Sequence, residues 1–268
     1  MVALSALTGY LFAGGAWSWQ MLLVLGGTGL LAGGSSALNQ WQEADLDLRM
    51  LRTRMRPLPT AHLTEKTALT LALVQITGGL MLLAQNPGYL PLLIGALAVV
   101  WYNAIYTPLK RITAFAALPG AVCGALPPLI GWTAAGGDLL AQKAIILAGT
   151  LFVWQIPHTW LLLCRYRDDL RRSGLPDLFR TITTQRLLQI NNCWVAALML
   201  CYLLFPLFGF FAHFLTTITF LGGLLILLFA FLATRHGSTE EIALRHFHLV
   251  NLSMALLFTV LIADRVAI

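Results

Sequence analysis

Apolar residues come in long, nearly unbroken runs along this chain, with the polar residues gathered between them. A helix that crosses about 30 Å of hydrocarbon needs about 20 residues. Nine runs approach that length: roughly 2–15, 20–38, 66–85, 89–107, 113–133, 142–164, 189–210, 212–234 and 247–266. The first is short and begins at Met1 with no polar flank, which predicts either a tilted helix or a start further upstream. The pattern predicts an all-α, polytopic membrane bundle of about nine transmembrane helices, forming one domain over residues 1–268.

The charges orient this bundle. With the N-terminus placed inside, the loops after the second, fourth, sixth and eighth runs hold fifteen of the 17 Lys and Arg. These are Arg49, Arg52, Arg54, Arg56 and Lys66; Lys110 and Arg111; the arginines from Arg165 to Arg186; and Arg235 with Arg245. Lys143 and Arg265 alone fall on the other side. Positive charge marks the cytoplasmic face, so the N-terminus is expected inside and the C-terminus outside. Composition agrees, with 58% hydrophobic and 10% charged residues, where soluble domains carry about 25% charged. Mean hydropathy is +0.78. The net charge of +6 therefore reads as a topology signal, and no nucleic-acid partner is expected. The 4 cysteines lie in or beside apolar runs without a C-x-x-C pair, so neither a disulfide framework nor a zinc site is indicated.

Acids carry little topogenic weight, yet nine of the 11 share the basic side, leaving Asp138 and Asp264. They concentrate in two places. The first is the stretch NQWQEADLDLRMLRTRMRPLP, where Asn39, Glu43 and Asp47 are spaced by four and so are expected on one helix face. A carboxylate at the centre of a membrane helix costs about 2.5–3.5 kcal/mol, so two on one face suggest a wet cavity or a bound cation. Oxygen ligands with a phosphate as co-ligand suit Mg²⁺. The bland alternative is a charged loop that only orients the chain. The second cluster is Asp168 with Asp169, again among arginines. Clusters after the second and sixth runs hint at a duplicated four-helix unit with a ninth helix added. Facing one another, two such clusters bridged by Mg²⁺ would clamp a diphosphate, with an apolar tail running into the bundle.

Other features point inward. Small residues from Gly26 to Ser36 in the second run allow close helix approach. The fifth run holds Pro119, Pro127 and Pro128 among glycines, which predicts a kinked pocket wall. His158 follows Pro157 within a confident span, with Gln155 three residues earlier on a similar face. An intramembrane ionisable group is a functional candidate, the alternative being a neutral ring paired to a neighbour. In the last inner loop Glu241 and Arg245 are expected to form an i, i+4 ion pair. His246 and His248 are too weakly patterned for a metal site.

The Asn39-x3-Glu43-x3-Asp47 spacing resembles the first acidic motif of the UbiA-type intramembrane prenyltransferases. The strings NQWQEADLDLRMLRTRMRPLP, YTPLKRITAFAALPGAVCGALPPLIGW, WQIPHTW and YRDDLRRSGLP are similar, in order, to those of the protoheme IX farnesyltransferase (heme O synthase) family. The likeness runs from about Leu31 to Pro176 and more weakly to Asn251. It implies a UbiA-like fold and Mg-dependent transfer of farnesyl from farnesyl diphosphate to a vinyl group of heme B, giving heme O and diphosphate. It implies that Asn39, Glu43 and Asp47 form the first Mg–diphosphate motif and Asp168 and Asp169 the second, with Glu43, Asp47, Asp168 and Asp169 as metal ligands. Arg52, Arg56, Lys110 and Arg111 would contact diphosphate, and His158, with Gln155, would face the heme. The implied setting is the lipid bilayer of a bacterial cell membrane, with heme A synthase or a terminal oxidase downstream. Three departures stand out: Glu43 replaces a more usual Asp, the run Leu175–Phe179 differs, and a basic lead-in before the first span is expected upstream.

Two rivals frame the reading. A UbiA-type enzyme acting on a quinone ring or other aromatic acceptor would keep the clamp and change the acceptor. An ion-coupled transporter would place its acids near mid-membrane, and a non-catalytic oxidase assembly factor would not need them.

Overall fold

The computed structural model describes residues 1–233 and 238–266; Arg235, an expected inner-loop cation, lies outside them. In chain order the helices are α1 (Val2–Phe12), α2 (Trp19–Gln42), a single turn α3 (Ala44–Asp47), α4 (Glu65–Ala84) and α5 (Leu90–Val100). A π-helical turn (Trp101–Tyr106) leads into α6 (Thr107–Ile112), then α7 (Ala117–Gly120), α8 (Val122–Ala134) and α9 (Gln142–Arg165). The short α10 (Arg167–Ser173) and α11 (Leu178–Thr181) precede α12 (Thr184–Leu207), α13 (Phe214–Ala233) and α14 (Thr239–Val266). Among the described residues there is no strand.

Among the described residues, seven helical stretches are long and apolar enough to cross a membrane: α2, α4, Leu90–Ile112, Ala117–Ala134, α9, α12 and α14. The expected count of nine is therefore not reached by length. Val2–Phe12 and the Phe214–Phe229 segment of α13 are shorter apolar helices. At a rise of about 1.5 Å per residue, α1 covers only about half of the hydrocarbon.

A second correction concerns Lys110 and Arg111, expected in a loop after the fourth run at 89–107. The helix continues through it to Ile112. Pro108 lacks an N–H, which would interrupt a regular helix. The π turn absorbs this, because bonding shifts by one residue and the Thr107 N–H reaches Tyr102 O. Glu241 also departs from expectation: its carboxylate accepts from the Ser238 N–H at 3.2 Å, and its own N–H donates to Ser238 Oγ at 3.3 Å. That is a capping box at the start of α14, in place of a pair with Arg245.

The small residues of α2 serve its contact with α4. A Cβ on Gly34 would lie 2.8 Å from Ile76 Cγ1 and 2.9 Å from Ala72 O, and one on Gly79 would lie 2.8 Å from Gly27 O. Here α2 and α4 touch backbone to backbone. Gly131 of α8 likewise abuts Ala6 O of α1. One apolar core gathers Tyr10, Val24, Leu31, Leu83 and Ile130. Another gathers Trp154, Trp160, Tyr202, Phe205, Phe220 and Phe258. The cations set apart in the charge pattern come together: Lys143 Nζ donates to Gly209 O at 2.6 Å and lies 5.4 Å from the Phe210 ring, and Arg265 lies 4.4 Å from the Phe12 ring. Those two rings are 5.3 Å apart.

Gly34→Leu is expected to prise α2 from α4 and destabilise the bundle by about 1–3 kcal/mol, as overpacking does. A thermal melt in detergent reads this, with Gly29→Ala as control, since a Cβ at Gly29 meets nothing within 4 Å.

Candidate active site

The first acidic group forms where α2 stops. Glu43, with φ −112° and ψ 18°, closes α2, so Asn39, Glu43 and Asp47 do not lie on one continuous helix. The single turn α3 restores the link, since the Asp47 N–H still bonds Glu43 O at 2.9 Å. The three side chains are buried at 8%, 8% and 3% exposure. Carboxylates so enclosed need partners, and each has a cation. Lys110 Nζ lies 2.7 Å from Glu43 Oε1 and donates to Oε2 at 2.8 Å. Arg56 Nη1 donates to Asp47 Oδ2 at 2.8 Å. Asn39 Nδ2 donates to Glu43 Oε2 at 2.9 Å and to Thr107 Oγ1 at 3.0 Å. The Thr107 hydroxyl in turn donates to Tyr102 O across the π turn at 2.9 Å.

The π turn is thus part of the site. Asn103 Nδ2 donates to Ser35 O at 2.9 Å, and Gln42 Nε2 donates to Asn103 O at 3.0 Å. These bonds fasten the turn to α2 and bring Lys110, one helical turn later, onto Glu43. Tyr106 lies beneath the Lys110 ammonium, 5.1 Å from ring centroid to Nζ. Sequence reasoning named Lys110 but missed Thr107 and Asn103. Their signal was a polar pair inside an apolar run that has to be paired once buried.

Arg111 takes another direction. It donates to Asp45 Oδ1 at 2.7 Å and to Gln42 O at 2.9 Å, on the exposed side of α3. Its hydrogen bonds hold the Asp45 carboxyl below the ordinary carboxylate range. The pair's small stabilisation is present above the unfolded value of about 3.9 and is lost as pH falls through the lower folded one.

The second acidic group is divided. Asp169 is buried and accepts from the Leu51 N–H at 2.7 Å and the Arg52 N–H at 3.2 Å. Arg49 Nη1 donates to Ser173 O at 3.3 Å. Asp169 therefore ties the α9–α10 corner to the loop after α3. Asp168 is exposed and shares a cleft of about 380 Å³ with Arg52, Arg165, Tyr166 and Asp169. The Arg52 guanidinium lies 4.9 Å from the Tyr166 ring.

Further back along α2, from Thr28 to Ser36, is a cavity of about 240 Å³, walled by α1, α2, α5, the π turn, α8 and α9. Apolar side chains such as Leu31, Val99 and Ile130 dominate it, and Thr28, Ser35, Ser36, Tyr102 and Gln155 are its polar spots. Pro127 lies in its wall, as the proline-rich run suggested. Gln155 and His158 part company here. Gln155 faces the cavity, 3.2 Å from where a Cβ on Gly124 would be. His158 turns to α14, with Nδ1 2.8 Å from Asn251 Oδ1.

Among the described residues no three His, Cys, Asp or Glu side chains converge on one point. The oxygen donors fall in two places: Glu43, Asp47 and the Asn39 carbonyl around the end of α2, and Asp168 in the cleft with Arg52 and Asp169. Such a set fits a hard cation that takes one or two carboxylates and completes its shell with water and phosphate. The acids stand at a helix end, not in mid-span, unlike a midplane ion site.

The sequence model of the UbiA prenyltransferase family matches residues 2–255. This chain belongs to the UbiA prenyltransferase family. A Geobacter sulfurreducens protein named protoheme IX farnesyltransferase is 46% identical over 211 residues, covering 78% of this UbiA chain and 77% of its relative. One of the same name from Oleidesulfovibrio alaskensis is 38% identical over 266 residues, covering 99% and 92%. Among solved structures, a digeranylgeranylglyceryl phosphate synthase matches with TM-score 0.77 at 14% identity, over 100% of this chain and 94% of its own. A UbiA homologue from Archaeoglobus fulgidus, bound to GPP and Mg²⁺, matches with TM-score 0.67 at 17% identity, over 97% and 95%. At these identities the two structures establish the UbiA fold.

Removing the Asp169 acceptor is expected to free the loop it holds. In Asp169→Ala the Leu51 and Arg52 amides should exchange with deuterium much faster, while the α2 amides keep their protection. Unchanged exchange at Leu51 would show that the tie carries no weight.

Proposed function

We propose that this chain transfers the farnesyl group of farnesyl diphosphate to a vinyl group of heme B, giving heme O and diphosphate. The observation that carries it is the pair of buried carboxylates, Glu43 and Asp47, each held by a cation beside an apolar cavity. Relatives that match most of the chain and bear the protoheme IX farnesyltransferase name supply the acceptor.

The reaction needs three things of the protein. The diphosphate must be gripped as its bond to the allylic carbon breaks. Arg56, Lys110 and Arg52 would give charge-assisted hydrogen bonds to its oxygens, while Arg111 is engaged by Asp45 and Gln42 on the exposed side of α3. Mg²⁺, held by Asn39, Glu43, Asp47 and Asp168, would supply further neutralisation of the leaving oxygens. Asp169 contributes by holding Arg52 in place, although its oxygens keep lone pairs for a ligand. The allylic cation must then be kept from water until the acceptor meets it, which the apolar cavity provides. The vinyl carbon bonds to the farnesyl carbon, water adds at the neighbouring carbon, and a proton is released. Gln155 in the cavity wall and His158 one turn away would hold the porphyrin.

The orientation proposed from the charge pattern puts this site on the cytoplasmic side of a bacterial inner membrane, with the C-terminus outside. The product would pass to heme A synthase or to a terminal oxidase.

Purified chain in nanodiscs, given heme B, farnesyl diphosphate and Mg²⁺, is expected to form heme O, read by chromatography and mass. A chelator should abolish it. Asp47→Asn and Asp168→Asn should each lose product by 100-fold or more, about 2.7 kcal/mol of transition-state stabilisation, while remaining folded. Prenylation of a quinone-ring precursor in place of heme would keep the clamp and discard the acceptor. Full turnover in both variants would remove the clamp.

A further inference from the structure

His158 has a second feature that the diphosphate chemistry does not use. Its Nδ1 lies 2.8 Å from Asn251 Oδ1. The Asn251 amide is itself oriented, because its Nδ2 donates to Phe247 O at 2.7 Å. The carbonyl oxygen must then face the ring, and an oxygen can only accept, so Nδ1 carries the proton. A neutral imidazole protonated at Nδ1 keeps its lone pair on Nε2. Among the described residues Nε2 makes no hydrogen bond. The ring cannot swing freely either, since it packs, tilted, between Trp154 at 4.6 Å and Phe247 at 5.2 Å between centroids.

We propose that Asn251 is a positioning residue for the porphyrin acceptor: it selects the His158 tautomer whose bare Nε2 ligates the iron. The inference rests on the reading above in which His158 contacts heme. A second group that fixes the tautomer and orients the ring is what metal-binding histidines require. The α9–α14 face then holds the iron, while Gln155, within one turn of about 5.4 Å, borders the cavity beside the diphosphate site. Iron and prenyl tail would thus occupy neighbouring sides of α9.

Heme B titrated into the purified chain in nanodiscs tests this through absorption and the iron–imidazole stretch of the reduced complex. His158→Gly should lose that stretch, and free imidazole should restore it. Asn251→Leu should weaken heme binding about 10–100-fold, with farnesyl diphosphate binding unchanged by calorimetry. Asn251→Asp preserves shape, offers a stronger acceptor, and should retain binding with the stretch moved to higher frequency. Wild-type affinity and stretch in both Asn251 variants, with the stretch still lost in His158→Gly, would overturn the positioning role and leave His158 as ligand. A stretch that survives in His158→Gly would overturn both.

Discussion

Burying carboxylates at the end of a membrane helix is the constraint on which the rest depends. Glu43 and Asp47 are almost wholly enclosed, and an enclosed carboxylate without a counter-charge costs several kcal/mol. The chain meets this twice, by different routes. Lys110 reaches Glu43 from a helix far away in sequence, so the π turn and its bonds to α2 must be in place first. Arg56 reaches Asp47 locally, because α3 and the turns after it fold the chain back on itself. Both acids thus take their counter-charge from the chain itself.

The second acidic cluster shows how two like residues diverge. Asp168 and Asp169 are adjacent, yet one is exposed to a cleft and the other is spent on backbone amides across the loop. A carboxylate that accepts from two backbone N–H groups makes strong charge-assisted bonds. It therefore couples the α9–α10 corner to the Arg52 loop, and neither loop is positioned alone. The division of labour follows from depth, which a string of letters does not carry.

Much of the fold was legible in the apolar runs, because a membrane leaves the backbone few alternatives to helix. The boundaries erred where local chemistry overrode hydropathy. Pro108 was read as the edge of a loop, whereas a π turn carried the helix through it. Asn39, Glu43 and Asp47 were read as one helix face, whereas α2 closes at Glu43. The site residues with charge were visible, since charge in an apolar chain stands out. Thr107, Asn103 and Asn251 were harder to see: their roles lie in pairing across helices, and only the packed bundle brings Asn251 to His158. Gln155 and His158 looked alike at a spacing of three and proved to face different neighbours.

The π turn has one more consequence, which concerns register. An α-helix advances about 100° per residue, and a π turn accommodates one residue more than the α turn it replaces. Everything after Trp101–Tyr106 is therefore phased by that extra residue, including Thr107 and Lys110. If the turn wound up as a regular α-helix with all its residues kept, the segment beyond it would rotate by about 100°. Lys110 would leave Glu43, and Thr107 would leave Asn39, with no change in any of those four side chains. The spacing within the turn thus belongs to the charge balance of the site as much as the charged residues do.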